Sequence, residues 1–362
     1  MRVWFARCWK RLWSWSSPEK GRAVLEVLPG KDVESQPKSE EAVEVQAPAF
    51  ELFQGPWELG GHPSCADPDT VRTELSRELY ALCDRRSNPA DREFIERLIR
   101  VVGTEKLDFP PFPDVARRLD RLLSRPDPSM FQVVKLVEQD PALLRRVWLQ
   151  ASSVNFSMPP SGLHHAIARI GFDALWRIGM TVCLHSAVFR VRGYQEEADH
   201  ARVHGIVAAE LGAWISGDKR GELYLAGLLH DVGKLLVYRA ASVREAKDRP
   251  APELVHRLAA QFHPAIGLLA VHAWQLADTV AGGVGFHHAP ELAPEEAQSV
   301  AETLWLADVA THTAEQARLG RECGGLAAIE SVESLSVAPA ALIEKAHSLL
   351  VQHDESRAAA EG

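Results

Sequence analysis

The chain has 362 residues, of which 46% are hydrophobic and 25% are charged, and its formal net charge is −9. This length suits about two domains, and the composition argues against a wholly disordered, collagen-like or disulfide-scaffold protein. The negative net charge argues against bulk electrostatic binding of nucleic acid, although it is compatible with a local basic patch.

The cysteines are few and widely separated: Cys8, Cys65, Cys83, Cys183 and Cys323. No two have CxxC spacing, which argues against a cysteine-based zinc finger or a thioredoxin-type motif. The sparse, odd number fits a reducing compartment. No apolar run approaches the roughly 20 residues of a membrane span, and the N-terminus lacks the apolar core of a signal peptide. We therefore expect a cytoplasmic protein.

Residues 1–17 contain four tryptophans and four basic residues. On a helical wheel the aromatic residues fall mainly on one side, which predicts a short amphipathic helix. Such a helix could lie peripherally in the membrane interface at the inner face, or dock on the body of the protein or on a partner. Residues 18–68 are rich in Pro, Gly, Glu and Ser and predict a flexible linker.

Helical periodicity begins near Asp69, and residues 69–106 predict a helical hairpin with Asn88-Pro89 at the turn. The Pro-rich residues 107–114 lead into the main domain. Asp140 and Pro141 have the spacing of a helix N-cap and first helical residue. No segment alternates with the period of a strand, so the sequence predicts an all-α fold. Residues 316–362 predict a C-terminal helical extension and tail.

Histidines and aspartates concentrate between residues 200 and 312. Imidazole and carboxylate are ligands for first-row metals, and helices can project them into one site. Two such metals can act on a phosphoryl group, and Lys234 could stabilise phosphate charge. The residues concerned are His200, His204, His230, Asp231, Lys234, His263, His287, His288, Asp308 and His312.

Blander interpretations exist for each of these groups. The pair His230-Asp231 could be a buried hydrogen bond that fixes a turn, or Asp231 could cap local backbone donors. His312 could be an indirect or surface group. We interpret residues 282–285 as a flexible hinge before His287, because no strand precedes these glycines and no Lys-Ser/Thr follows. Isolated histidines are expected to be ordinary core or surface residues: His164, His165, His185, His256, His272 and His347.

Residues 107–315 contain five segments in a fixed order: LDFPPFPDVARRLDRLL, QDPALLRRVWLQASS, SGLHHAIARIGFDALWRIGM, AGLLHDVGKLLVY and FHPAIGLLAVHAWQLADTVAGGVGFHHAP. Together they resemble the HDOD domain, a bacterial signal-output relative of the HD and HD-GYP phosphohydrolases. The resemblance implies a helical HD-type bundle. It also implies that Lys234 and Asp231 are catalytic, and that one or two ions such as iron or manganese are bound by His204, His230, Asp231, His263, His287, His288 and Asp308.

The chain departs from the HD-GYP pattern at two places. Ala289-Pro290-Glu291-Leu292 stands where that branch has its Gly-Tyr-Pro segment, and His200 stands where it often has an acidic ligand. We therefore expect a bacterial signal-transduction output protein whose HDOD domain binds signalling proteins. The alternative is a metal-dependent phosphohydrolase that acts on a nucleotide or cyclic dinucleotide.

Overall fold

The computed structural model describes residues 63–103, 112–152, 158–184, 195–215, 220–242, 249–320 and 338–361. These ranges are helical and contain no strand, which confirms the all-α prediction. The segment 1–17 and nearly all of the linker predicted at 18–68 lie outside the described residues.

Thirteen α-helices occupy the described ranges. A short 3-10 helix, Pro290–Leu292, follows the eleventh. The helices are α1 Pro68–Asp84, α2 Pro89–Gly103, α3 Asp114–Leu123, α4 Met130–Val137, α5 Pro141–Ala151, α6 Leu163–Leu184, α7 Gln195–Ile215, α8 Arg220–Leu229, α9 Val232–Ala241, α10 Pro252–Ala273, α11 Asp278–Phe286, α12 Glu295–Arg318 and α13 Pro339–Glu361.

The hairpin of α1 and α2 packs on the main bundle. Asp67 caps α1 by accepting a hydrogen bond from Thr70 N at 2.8 Å, and the apolar stripes of both helices join the larger hydrophobic core. Asp91 is buried and accepts a hydrogen bond of 2.9 Å from the backbone N–H of Ala251, at the start of α10. A long-range bond of this kind fixes the hairpin on the bundle, since a buried carboxylate is costly without a partner.

The described residues form two hydrophobic cores. Helices α3 to α6 enclose the smaller one, and the larger one extends from the hairpin through α7–α13. Helix α6 connects them: it is kinked at Gly171, where φ is 80°, and Trp176 donates a hydrogen bond of 2.8 Å to Asp120 of α3. The Trp176 ring also packs edge-on against Tyr224 of α8, with centroids 5.8 Å apart.

The structure confirms the helix cap predicted at Asp140 but not the hinge predicted at residues 282–285. Asp140 accepts from the backbone N–H groups of Ala142 and Leu143, so the predicted cap of α5 is confirmed. The predicted hinge at residues 282–285 is wrong, because these residues form the interior of α11. A Cβ at Gly282 would lie 2.5 Å from the Cβ of Ala297, so glycine is needed there for helices to approach closely.

Helix α10 is the central helix of the larger core. It has the length and hydropathy of a membrane-crossing segment, but 78% of its most apolar window is buried inside the protein. Its composition is therefore explained by burial among other helices. Helices α9 and α11 pack on it, and these contacts bring the ends of several helices to one place.

Candidate metal centre

The structure brings all seven predicted metal ligands into one cluster. His230 and Asp231 occupy the break between α8 and α9, and His287 and His288 follow the end of α11. The remaining ligands come from the interiors of helices α7, α10 and α12: His204, His263 and Asp308. Together with His200, their ligand atoms form three groups whose members lie within 4.8 Å of one another: His263, His287 and His288; His204, His230 and Asp308; and His200, His230 and Asp231. His230 belongs to two of these groups. Residues far apart in the chain thus converge as a helical metal site requires.

The first group consists of three imidazoles. Nε2 of His263 lies 3.3 Å from Nε2 of His287 and 3.1 Å from Nε2 of His288. Nδ1 of His263 donates to the carbonyls of Ala259 and Ala260 at 3.0 Å, and Nδ1 of His287 donates to Val284 O at 2.7 Å. Because a carbonyl only accepts, the neutral rings of His263 and His287 carry their protons on Nδ1. Their Nε2 lone pairs therefore face one another, an arrangement that a cation would stabilise.

The second group is formed by His204, His230 and Asp308. The rings of His204 and His230 stack with centroids 3.9 Å apart. His230 donates from Nδ1 to Gly227 O at 2.7 Å, whereas His204 donates from Nε2 to Leu304 O at 3.1 Å. The nitrogens left over, Nδ1 of His204 and Nε2 of His230, are buried and have no hydrogen-bond partner within the described part of the chain. Such orphaned acceptors are rare and point to an ion or water.

Asp231 lies between the two groups. Its Oδ2 is 3.3 Å from Nε2 of His230, and its Oδ1 is 3.3 Å from Nε2 of His263. Lys234, one turn later on α9, places Nζ 2.7 Å from Oδ2. Asp231 occupies the N-cap position of α9, but its carboxylate makes no capping hydrogen bond to that helix. It is instead positioned to connect both groups of imidazoles.

Burial keeps most of the imidazoles neutral. Desolvation is the main cause that lowers the pKa of His287 to about 4, and it lowers the pKa of His204, His263 and His288 well below 6.5. Burial acts to raise the pKa of Asp308, but the neighbouring histidines outweigh it and lower this pKa to about 2. Neutral imidazole and ionised carboxylate are the forms that bind metals.

His200 and Glu315 extend the cluster. The sequence placed His200 on the same face as His204 but outside the ligand set, and it did not single out Glu315. Nδ1 of His200 lies 3.0 Å from Oε1 of Glu315, and Nε2 lies 3.8 Å from Oδ1 of Asp308. Burial lowers the pKa of His200, but the hydrogen bond and charge of Glu315 outweigh this effect and raise the pKa to about 9. The seven-residue spacing from Asp308 to Glu315 was the available signal, since it places both on one helix face.

The histidines interpreted as ordinary residues lie outside the cluster wherever the structure describes them. His165 contacts Ser161, His256 contacts Tyr238, and His272 lies 3.6 Å from a carboxylate oxygen of Asp278. His312, which follows Asp308 by one turn, belongs to none of the three ligand groups found in the described residues. His185 lies outside the described residues.

The donor set fits a divalent first-row metal. Five imidazoles and two carboxylates converge in a buried site, and several of their ligand atoms have no hydrogen-bond partner within the described part of the chain. Nitrogen and oxygen ligands of this kind suit iron, manganese, cobalt, nickel and zinc better than calcium or magnesium. The backbone carbonyls that hold the Nδ1–H groups fix the tautomer and orient each ring, as in known metal sites.

A helical bundle with this histidine–aspartate cluster defines an HD-type domain. Residues 109–290 match the HDOD domain, and the chain belongs to this family. It is 23% identical over 261 residues to an uncharacterized protein of Treponema pallidum (strain Nichols), covering 65% of the present chain. The chain spans about half the length of that curated relative, which it covers to 50%.

Two crystal structures have a similar fold. One, named "Putative metal-dependent phosphohydrolase", is from Shewanella amazonensis SB2B; it has a TM-score of 0.51 and 20% identity, covering 78% of this chain and 99% of that one. The other, named "Putative signal transduction protein", is from Marinobacter aquaeolei VT8; it has a TM-score of 0.54 and 23% identity, covering 76% and 66%. At these identities the similarity establishes the fold alone.

Proposed function

We propose that the cluster binds one or two divalent first-row metal ions and that the protein is a metal-dependent phosphohydrolase in a signalling pathway. The observation that carries this proposal is the 3.3 Å distance between the Nε2 atoms of His263 and His287. Both Nε2 atoms are unprotonated and carry a lone pair, because the Nδ1 atom of each ring donates to a carbonyl. Two such acceptors cannot hydrogen-bond to each other, and a bound cation removes their repulsion. Asp231, which faces both groups, would be the shared ligand.

The chain's own residues suit phosphoester chemistry. When bound, a divalent ion supplies Lewis-acid polarisation of a phosphoryl oxygen and lowers the pKa of water. Lys234 holds one oxygen of Asp231 at 2.7 Å, and about a fifth of its side chain is exposed (22%), so its ammonium can also meet a phosphate that arrives from solvent. A nucleotide or cyclic dinucleotide is the proposed substrate class.

Metal content tests the first half of the proposal. Protein purified without a His-tag or chelator is expected to contain about one or two equivalents of iron or manganese. The variants His230→Ala/Asp231→Ala and His263→Ala should lose this metal. His347→Ala is the matched control, because His347 is exposed on α13 and belongs to none of the ligand groups of the described residues. Equal metal content in wild type and both cluster variants would refute the metal centre.

Hydrolysis tests the second half. The metal-loaded protein should cleave an artificial phosphodiester such as bis-p-nitrophenyl phosphate, and nucleotide or cyclic-dinucleotide substrates should be screened by product analysis. Lys234→Ala is expected to lower kcat while the metal content stays near that of wild type. Metal-loaded protein that cleaves none of these substrates would contradict catalysis while leaving metal binding intact.

A second candidate function is partner binding by a non-catalytic HDOD domain. The observation that favours it is the segment after His288, where residues 289–292 stand in place of the Gly-Tyr-Pro segment. In this segment Pro290–Leu292 forms the 3-10 helix and Leu292 is half-exposed. Membership of the HDOD family also favours a signal-output role. Full complementation of a deletion strain by His230→Ala/Asp231→Ala would support partner binding and contradict a catalytic role in the cell.

The localisation proposal concerns residues 1–17, which lie outside the described residues. We propose a cytoplasmic protein that contacts the inner face of the membrane through the tryptophans and basic residues of this segment. Removal of residues 1–17 should abolish sedimentation with vesicles of anionic lipid. Equal sedimentation of the truncated and full-length proteins would exclude the membrane contact and favour docking on protein.

A further inference from the structure

A basic groove lies on the surface of the smaller core, between α3 and α4, and contains none of the predicted metal ligands. It is open to solvent and has a volume of about 380 Å³. Buried Leu122 and Leu136 form part of its lining, and four basic side chains surround it: Arg118, Arg121, Arg125 and Lys135. No acidic side chain of the described ranges lines the groove, although Arg118 pairs with Asp114 at 3.7 Å and Lys135 pairs with Glu138 at 3.3 Å beside it, and the net charge of the chain is −9. The local charge therefore has the opposite sign to that of the protein.

Glutamine side chains hold two of the arginines. Arg118 donates to Oε1 of Gln139 at 2.9 Å, and Arg125 donates to Oε1 of Gln132 at 3.3 Å. Glutamine orients a guanidinium without cancelling its charge. Among the described residues, no carboxylate lies within the 4.0 Å of a salt bridge from Arg121 or Arg125. Both guanidiniums thus keep a full charge and unused donors in the groove.

An exposed aromatic ring completes the groove. Phe131 is the second residue of α4 and is 71% exposed, so its ring is accessible to a ligand in the groove. Lys135, one turn later, places Nζ 5.9 Å from the centre of the ring. Guanidinium forks bind phosphate oxygens in pairs, and a flat exposed ring stacks on a nucleobase. Cations, amides and a stacking surface together match the parts of a nucleotide.

We propose that this groove is a second ligand site, which binds a nucleotide that carries two or more phosphates. Arg121 and Arg125 bind the phosphates, and Phe131 stacks on the base. The volume lies at the lower end of ligand pockets and suits one such molecule rather than a long polymer. The site differs from the proposed phosphohydrolase centre in position and in ligands, so it does not depend on that function.

Binding of a fluorescent nucleoside triphosphate to the full chain, measured by anisotropy, tests the site. EDTA is present, so that the metal cluster cannot hold the probe through an ion. Arg121→Ala/Arg125→Ala should weaken binding at least tenfold, about 1.4 kcal/mol. The matched control is Arg145→Ala/Arg146→Ala, which removes the same charge from exposed positions of α5 outside the groove. An equal loss in both double variants, or no wild-type binding at millimolar probe, would overturn the proposal.

Competition identifies the parts of the ligand. Tripolyphosphate should compete more weakly than the nucleotide, and Phe131→Ala should weaken nucleotide binding but leave tripolyphosphate binding unchanged. If Phe131→Ala binds the nucleotide as tightly as wild type, the stacking role is wrong. If a single-stranded oligonucleotide binds tenfold or more tightly than the nucleotide, the groove is a nucleic-acid surface and the proposal fails. A nucleoside triphosphate represents a free nucleotide and a linear dinucleotide represents a nucleic-acid strand, so comparing the two probes shows which of them supplies the phosphates and base.

Discussion

At Gly233, the absence of a Cβ atom affects both the packing of two helices and the geometry of the metal centre. Gly233 lies two residues after Asp231, where α9 crosses α10. A Cβ built at this position would lie 2.1 Å from the carbonyl oxygen of His263 and 2.7 Å from its Cα. The obstacle is backbone, which cannot rotate away as a flexible side chain can.

We predict that Gly233→Ala destabilises the protein and weakens metal binding. To reach an ordinary contact, α9 and α10 must separate by roughly 1 Å, which costs about 3 kcal/mol at the upper end of the range for overpacking. For a domain of this size the melting temperature should fall by roughly 6–12 °C. The same displacement widens the 3.3 Å gap between Asp231 and His263, so metal affinity should fall about 10–100-fold.

Thermal unfolding followed by circular dichroism, with metal content measured on the same sample, checks both effects. Gly221→Ala is the matched control, because a Cβ there meets only Trp176 at 3.9 Å and the change should stabilise by less than about 1 kcal/mol. If Gly233→Ala melts within about 1 °C of wild type and keeps its metal, the argument from backbone contact is wrong.

Three further predictions concern pH, capping and metal. The pKa of His287 is about 4 in the folded protein and near 6.5 unfolded, so the unfolded state binds more protons below pH 6.5. Protonation of this residue should therefore lower the free energy of unfolding of the metal-free protein by about 2 kcal/mol when the pH falls from 7 to 5. If the urea midpoint of wild type does not fall more over this pH range than that of His287→Gln, the prediction is contradicted. Asp140→Ala should cost about 1 kcal/mol, whereas Ser129→Ala should cost nothing measurable, because Ser129 makes no capping bond; equal melting temperatures for both variants would contradict this. Manganese at about 100 times its Kd should stabilise metal-free protein by about 2.7 kcal/mol, and an unchanged melting curve would argue against the metal centre.

The sequence predicted local structure well where one residue type has one physical role. Asp140 followed by Pro141 is a cap under almost any tertiary arrangement, because the carboxylate and the orphaned N–H groups are close neighbours in the chain. The glycines at 282–285 were misread for the opposite reason. Glycine permits either a flexible hinge or a close helix contact, and only the position of α12 decides between them.

For the metal cluster, too, some features follow from the sequence and others depend on tertiary contacts. The residue types and their order, together with the resemblance, indicate seven ligands. The inclusion of His200 and Glu315 depends on the distance between α7 and α12, which no local pattern encodes. The protonation of each ring likewise depends on the carbonyls that surround it, such as Val284 O beside His287.

The sequence by itself determined the helical fold class, the family and the chemical types that line the proposed metal centre, because periodicity, capping and ordered motifs are properties of neighbouring residues. The tertiary structure decided which lone pairs converge, which charges are buried and where the basic groove opens. Those properties arise from contacts between helices distant in the chain, since burial and charge proximity exist only after the chain has folded.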